Sequence, residues 1–132
     1  MAGNTARTSE TGKGLFQAVV DTGGITFLAD EPTEVGGLGT GPGPYELLCA
    51  SLATCTSMTI RFYAQRHAIH VGPIDVVVKH AKNTDGKDVF DRKIELADVA
   101  GPAQRDALLR AAKGCPVSRT LEQGSIINTE LK

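Results

Sequence analysis

Residues 45–63 read YELLCASLATCTSMTIRFY and carry no charged side chain between Glu46 and Arg61. The segment is rich in Ala, Ser and Thr, and it is shorter than the roughly 20 apolar residues that a membrane span needs. We expect a central helix that is buried on most sides, with small side chains that let neighbouring elements approach closely. Such a helix decides the fold, because the rest of the chain must cover it.

Short strand patterns lie on both sides of this helix. Hairpin turns are predicted at residues 21–24, which read DTGG, and at Asp85-Gly86. In the second hairpin apolar side chains alternate with polar ones, so that Phe90, Ile94 and Leu96 share one face. The five predicted strands comprise residues 14–20, 25–31, 74–80, 90–96 and 125–131.

A second helix is predicted over residues 102–113, with Pro102 at its start and Gly114 at its end. The order of elements is therefore β-β-α-β-β-α-β, which is an α+β fold. Residues 1–13 are polar and are predicted to form a flexible N-terminal arm, and residues 14–132 a single domain. A chain of about 130 residues makes a thin shell around a long buried helix. We therefore expect a second copy of the chain to cover this helix in a homodimer.

Composition narrows the classes of function. The formal net charge is −1 and Lys and Arg are scattered, which argues against binding of nucleic acid or of an anionic membrane. The polar N-terminus lacks the apolar core of a signal peptide, so we expect a cytoplasmic protein. The glycine-rich residues 35–44 lack the Lys and the spacing of nucleotide-binding loops and are interpreted as a connector. His67, His70 and His80 make no metal-ligand pattern with the cysteines, so no metal site is expected.

The cysteines carry the chemistry of this sequence. Cys49, Cys55 and Cys115 are an odd number without a CxxC pair, which in a reducing compartment favours reactive or buried thiols over structural disulfides. Cys115 stands in the stretch AAKGCPVSRTL, residues 111–121. Proline is favoured at the first position of a helix, so Cys115 is predicted to be an N-cap, where the helix dipole favours a thiolate. Arg119, one turn further on, is a candidate to stabilise that charge.

Cys55 lies on the central helix and shares its face with an apolar lane that includes hydroxyl groups. The residues of this lane are Leu48, Ser51, Leu52, Met58, Thr59 and Phe62. The alternative for Cys55 is a small buried hydrophobic side chain. Cys49 lies on a different face of the helix and is interpreted as a packing residue.

Two stretches, PYELLCASLATC (residues 44–55) and AAKGCPVSRTL, resemble the OsmC/Ohr family of thiol-dependent peroxidases. Members of that family have a first cysteine in a long central helix and a second cysteine in a GCPV turn. The resemblance covers residues 14–132. It implies an OsmC-like domain in an intertwined homodimer, with two active sites at the subunit interface and no metal or organic cofactor.

By this resemblance Cys55 is the peroxidatic cysteine and Cys115 the resolving cysteine. Cys55 would attack an organic hydroperoxide and become a sulfenic acid, and Cys115 would condense with it to a disulfide. An external dithiol or a lipoylated protein would then reduce the disulfide. The thiolate expected at Cys115 suits this role, because a sulfur of low pKa is the better leaving group during that reduction.

Members of the family stabilise the first thiolate with an Arg from the early hairpin and a Glu that follows the proline at the start of the central helix. The early hairpin of this chain holds no Arg, and the Glu position is Tyr45, with Glu46 as its neighbour. Tyr45 and Glu46 are therefore candidate supporting residues, although Glu46 also suits the first turn of a helix. Arg7, Arg61 and Arg119 are the candidates for the cation.

Two other functions stay open from the sequence. A thiol redox sensor or oxidoreductase would form the same disulfide without fast peroxide turnover. A non-catalytic dimer would bind a small apolar ligand at its interface, and replacing either Cys55 or Cys115 by serine would then leave the ligand affinity almost unchanged.

Overall fold

The computed structural model of the chain describes residues 3–132 and confirms the α+β fold. Two compact units, Met1–Leu48 and Cys49–Lys132, divide the chain. No helix within residues 3–132 combines the length and the hydropathy that a membrane span requires. The strands are β1 (Ala6–Glu10), β2 (Ala18–Thr22), β3 (Ile25–Ala29), β4 (Ile74–Lys82) and β5 (Asp88–Leu96), and the helices are α1 (Pro44–Arg66), α2 (Pro102–Lys113) and α3 (Pro116–Gln123).

The first unit holds a three-stranded antiparallel sheet in the order β1-β2-β3. The predicted hairpin between β2 and β3 is confirmed, since Gly23 and Gly24 have φ angles of 60° and 80°, the left-handed values that a two-residue hairpin turn of this kind requires. β1 corrects the prediction of a flexible arm over residues 1–13, because Thr8 pairs with Val20 of β2. Residues 1 and 2 of that arm lie outside the described residues. All the side chains of β1 are exposed, so no apolar alternation marked it as a strand.

The buried side chain of Asp30 fastens the glycine-rich loop that follows β3. Its carboxylate accepts the hydroxyl of Thr40 at 2.6 Å and the N–H groups of Glu31, Leu38 and Thr40. The hydroxyl bond from Thr40 is the main reason why the pKa of Asp30 lies below its usual value. Amides of this loop are thus used within the chain, as a connector into α1 requires.

The helix α1 extends slightly beyond the predicted residues 45–63 at both ends. At its start Glu46 reaches back, and its Oε1 accepts the N–H of Gly43 at 2.9 Å. This is the capping geometry of an acidic side chain in the first helical turn, which satisfies a backbone donor that has no partner inside the helix.

A single stripe of α1 is buried within the chain, at intervals of four residues. Its members are Leu52, Thr56, Ile60 and Ala64. Large apolar side chains elsewhere on the helix, such as Met58 and Phe62, are 67% and 60% exposed. Cover of this face by a second copy of the chain stays a prediction.

The core of the second unit forms where α1 and α2 meet β4 and β5. Partly buried Ile94 and Leu96 of β5 pack against it. Its buried members are Ile60, Ala64, Val71, Leu108 and Ala112. The predicted helix at residues 102–113 is confirmed as α2, and the predicted turn between β4 and β5 is confirmed by Gly86, whose φ is 77°.

The prediction of a last strand over residues 125–131 is wrong. Neither sheet includes this segment, and Ile126, Ile127 and Leu131 are 90%, 84% and 100% exposed. The apolar alternation of the segment is real, but a strand also needs a neighbouring strand for its backbone hydrogen bonds, and none pairs with it within residues 3–132.

Candidate functional site

Cys115 is the N-cap of α3, as predicted from the proline that follows it. Its backbone is extended, with φ −64° and ψ 146°, and Pro116 occupies the first helical position. The N–H of Ser118 donates to the Cys115 sulfur across 3.4 Å. The side chain of Cys115 is fully buried. The sulfur therefore takes the place of the oxygen of a usual capping residue and receives a backbone donor of α3.

A cation reaches this sulfur from a strand that was predicted from the sequence, but on which no site residue was proposed. Arg92 of β5 places Nη1 3.8 Å from the Cys115 sulfur and 2.9 Å from the hydroxyl oxygen of Thr56. Alternation along β5 puts Arg92 on the same face as Phe90 and Ile94, which is the more buried face of the strand. Arg92 was not proposed from the sequence, and a charged residue in the middle of that apolar face is the signal that could have identified it.

Thr56 of α1 joins these groups. It is fully buried, and its Oγ1 accepts a hydrogen bond from Arg92. The hydroxyl carries one hydrogen, and that hydrogen has two acceptors within reach: the carbonyl of Leu52 at 2.6 Å and the Cys115 sulfur at 3.9 Å. Thr56 thereby holds the guanidinium beside the sulfur and adds a polar neighbour to it.

The surroundings of Cys115 favour its thiolate. Burial is the largest single influence and raises the pKa of the Cys115 thiol, but it is outweighed. The Ser118 N–H, the side chains of Cys55 and Thr56, and the positive charge of Arg92 together bring this pKa below its ordinary value. A thiolate at Cys115 is thus compensated by donors from α1, β5 and α3.

Cys55 and Cys115 come together in the second unit. Cys55 is only partly buried, whereas Cys115 is fully buried. The side chain of Cys55 acts on Cys115 as a hydrogen-bonding neighbour that lowers its pKa, and its own sulfur lies 4.0 Å from the Thr59 hydroxyl. Two cysteines 60 positions apart in the chain thus lie close together, one partly buried and the other fully buried with a lowered pKa.

The other residues proposed from the sequence make different contacts. Glu46 caps α1, and Tyr45 is half exposed near the start of that helix. Arg61 donates to the carbonyl oxygens of Val71 and Gly72, at 2.8 and 2.6 Å. Each of these contacts is therefore one that supports the fold.

Two further arginines proposed for the cation lie elsewhere. Arg119 is exposed, and its guanidinium lies beside Gly114; within residues 3–132 no hydrogen bond joins it to the Cys115 sulfur. Arg7 lies on β1, opposite Asp21 of β2. In the described part of the chain, no three side chains of the His, Cys, Asp and Glu types are grouped as metal ligands.

A cavity of about 680 Å³ opens beside Arg92. Its apolar wall comes from α1, β5, α2 and α3, and its polar wall includes Arg92 and Ser118, which both donate to the Cys115 sulfur. The apolar lining residues are Leu52, Phe90, Ile94, Leu109 and Leu121. The thiol site thus borders a space that can hold an apolar group.

Comparison with known proteins agrees with this architecture. The family described as OsmC-like protein matches residues 37–130, which is most of the chain and includes Cys55, Arg92 and Cys115. The chain belongs to the OsmC-like family. No curated protein sequence matches this OsmC-like protein significantly.

Solved structures share the fold of this OsmC-like protein at low sequence identity. An osmotic stress induced and detoxification response protein from Psychrobacter arcticus is 18% identical, with a TM-score of 0.77 over 91% of this chain and 89% of that chain. An organic hydroperoxide resistance protein OsmC from Legionella pneumophila is 20% identical, with a TM-score of 0.66 over 92% and 90%. An organic hydroperoxide resistance protein from Vibrio cholerae, with captopril bound in one of its active sites, is 23% identical, with a TM-score of 0.64 over 92% and 85%.

Proposed function

We propose that this OsmC-like protein is a thiol-dependent peroxidase that reduces organic hydroperoxides through Cys55 and Cys115. The observation that carries the proposal is the pairing of a partly exposed thiol with a buried sulfur to which Arg92 and the Ser118 N–H donate, and whose pKa is lowered. A sulfur pair of this kind suits two-step redox chemistry, since one sulfur can meet the oxidant and the other can close the disulfide.

In the proposed cycle Cys55 attacks the distal oxygen of the hydroperoxide, which releases an alcohol and leaves a sulfenic acid. Cys115 then condenses with the sulfenic acid to form the Cys55–Cys115 disulfide. An external dithiol or a lipoylated protein returns both thiols to the reduced state by thiol–disulfide exchange. The difference in exposure supports these roles, because Cys55 is only partly buried and Cys115 is fully buried.

The cavity beside Arg92 supports an organic substrate over hydrogen peroxide. Its apolar side chains would gain free energy from contact with a hydrocarbon group, whereas hydrogen peroxide offers none. The names of the Legionella and Vibrio relatives point the same way, since both are called organic hydroperoxide resistance proteins.

We also propose a homodimer in the cytoplasm as the working form. The exposed apolar side chains of α1, Met58 and Phe62 among them, and the exposed apolar residues of the C-terminal segment support a second copy as their cover. Mass measurement in solution tests this part of the proposal, and a monomer at all concentrations would contradict it.

The test of the peroxidase is steady-state consumption of cumene hydroperoxide with a dithiol such as dihydrolipoic acid as reductant. We expect turnover in the wild type and in Cys49→Ser, and its loss in Cys55→Ser. Cys115→Ser is expected to stop after one oxidation unless the small thiol reduces the sulfenic acid directly.

The other functions predict different outcomes of the same experiment. A redox sensor would form the disulfide but consume little peroxide. A ligand-binding dimer would leave both thiols reduced under excess peroxide, and Cys55→Ser would keep the affinity for an apolar ligand. Either result would contradict the peroxidase proposal and support the corresponding alternative function.

A further inference from the structure

The arrangement of the two sulfurs raises the question of which group takes the proton of Cys55. Cys55 has two polar side-chain neighbours within the described residues, the Thr59 hydroxyl at 4.0 Å and the Cys115 sulfur. A threonine hydroxyl is no base near neutral pH, whereas a thiolate is. Arg92 donates hydrogen bonds to Thr56 and to the Cys115 sulfur, so its positive charge acts on Cys115.

We infer that Cys115 is the general base for Cys55 in the first oxidation step, in addition to resolving the sulfenic acid afterwards. This inference rests on the proposed peroxidase and names how its first thiol is activated. The thiolate that Arg92 and the Ser118 N–H hold at Cys115 stands in for the early-hairpin Arg and the helix Glu that the sequence lacks.

The steps balance in atoms and charge. The Cys55 S–H gives its proton to the Cys115 thiolate as the Cys55 sulfur attacks the distal oxygen of ROOH, which breaks the O–O bond and leaves Cys55–SOH and an alkoxide, RO⁻. The Cys115 S–H then gives this proton to the alkoxide, which leaves as ROH, and Cys115 is again a thiolate. Its sulfur attacks the Cys55 sulfur, forms the disulfide and expels hydroxide. The peroxide gains two electrons, and the pair of thiols loses them.

Cys55 and Cys115 differ in burial, and this difference separates their proposed roles. Cys115 is fully buried, so it is shielded from direct attack by peroxide. Burial disfavours its charge, and the Ser118 N–H and Arg92 oppose that effect, so the sulfur can exchange a proton with its neighbour. The charged and titratable groups around Cys115 and the cavity beside it are Cys55 on α1, Lys87 before β5, Asp88 and Arg92 on β5, Lys113 on α2 and Glu122 on α3. Glu122 is engaged by the hydroxyl of Ser118 at 3.0 Å, so Arg92 is the charge that acts on the sulfur directly.

The test measures the first oxidation apart from disulfide formation. Reduced protein is mixed with one equivalent of cumene hydroperoxide in a quenched-flow instrument, the sulfenic acid is trapped with dimedone, and Cys55 oxidation is followed by mass. Mass is the suitable readout because the chain has no Trp. Cys115→Ser should fold normally, since serine is favoured at an N-cap.

We expect Cys115→Ser to slow formation of the Cys55 sulfenic acid by about a hundredfold at neutral pH, the low end of what general-base catalysis contributes. Arg92→Met keeps both thiols and is expected to move the pH midpoint of the rate upward, with recovery at alkaline pH, a change that a merely structural role would not produce. Cys49→Ser serves as the matched cysteine control. A first step within twofold of the wild-type rate in Cys115→Ser would overturn the inference and leave Cys115 as a resolving cysteine only.

Alkylation distinguishes failure of this inference from failure of the peroxidase proposal. Iodoacetamide reacts with Cys55 whether or not the protein reduces peroxides, and mass mapping reports that site alone. We expect slower alkylation of Cys55 in Cys115→Ser even if the wild type proves inert toward hydroperoxides. Equal alkylation rates in the two proteins would refute the general base, whatever the peroxidase assay shows.

Discussion

Replacing Arg92 by methionine removes the cation that lies 3.8 Å from the Cys115 sulfur and keeps most of the aliphatic stem. At an effective dielectric constant of about 20, two unit charges at this separation interact by about 4 kcal/mol. Arg92 is partly exposed, so solvent screening reduces this to about 1–2 kcal/mol. Since one pKa unit corresponds to about 1.4 kcal/mol, we expect the pKa of Cys115 to rise by about one unit.

The assay is a pH titration of the ultraviolet absorbance of the Cys115 thiolate, in a background where Cys49 and Cys55 are serine. Arg119→Met in the same background is the matched control, because Arg119 is an exposed arginine on α3 without a hydrogen bond to the sulfur. The reasoning is refuted if Arg92→Met leaves the pKa of Cys115 unchanged, or if Arg119→Met raises it as much.

Three further predictions address stability and selectivity. Arg61→Met should lower the free energy of unfolding by about 1–2 kcal/mol in urea, because two bonds to backbone carbonyls are lost, while the pKa of Cys115 stays unchanged. Leu109→Gln should raise KM about threefold to tenfold for a long-chain alkyl hydroperoxide but little for tert-butyl hydroperoxide, because Leu109 lines the cavity. The pKa of Cys115 is lower in the folded chain than in the unfolded one, so the free energy of unfolding of the reduced protein should rise with pH up to about 8.5, the pKa of an unfolded thiol, and fall as acid protonates the sulfur. Urea titrations across this range, with Cys115→Ser as reference, check the last prediction, and equal slopes for the two proteins would contradict it.

Features set by local chemistry were predictable from the sequence. Pro116 fixes a helical φ and lacks an N–H, so it suits the first position of a helix. Cys115 could therefore be predicted as the N-cap without any knowledge of the packing. Gly23 and Gly24 alone suffice for the turn of the first hairpin, because their positive φ angles are strained for other residues. An acidic residue is favourable in the first turn of a helix, so the position of Glu46 could also be explained from the sequence. In the structure Glu46 does cap α1.

Features that depend on distant partners were not predictable in the same way. The alternation in β5 placed Arg92 on the face of Phe90 and Ile94, but which element that face meets is decided by packing across the chain. The last strand at residues 125–131 failed because an alternating pattern says nothing about whether a neighbouring strand exists. The strand β1 was not predicted, because it pairs with β2 through its backbone and has no buried side chain that would produce an apolar pattern.

The central claim is that Cys55 and Cys115 form one redox pair. Reduced protein should be treated with one equivalent of cumene hydroperoxide, digested without reduction and mapped by mass spectrometry. The account predicts a mass decrease of two hydrogen atoms and a single cross-linked peptide pair that joins Cys55 to Cys115, with Cys49 still free. Two surviving thiols under excess peroxide, or a disulfide that involves Cys49, would contradict it.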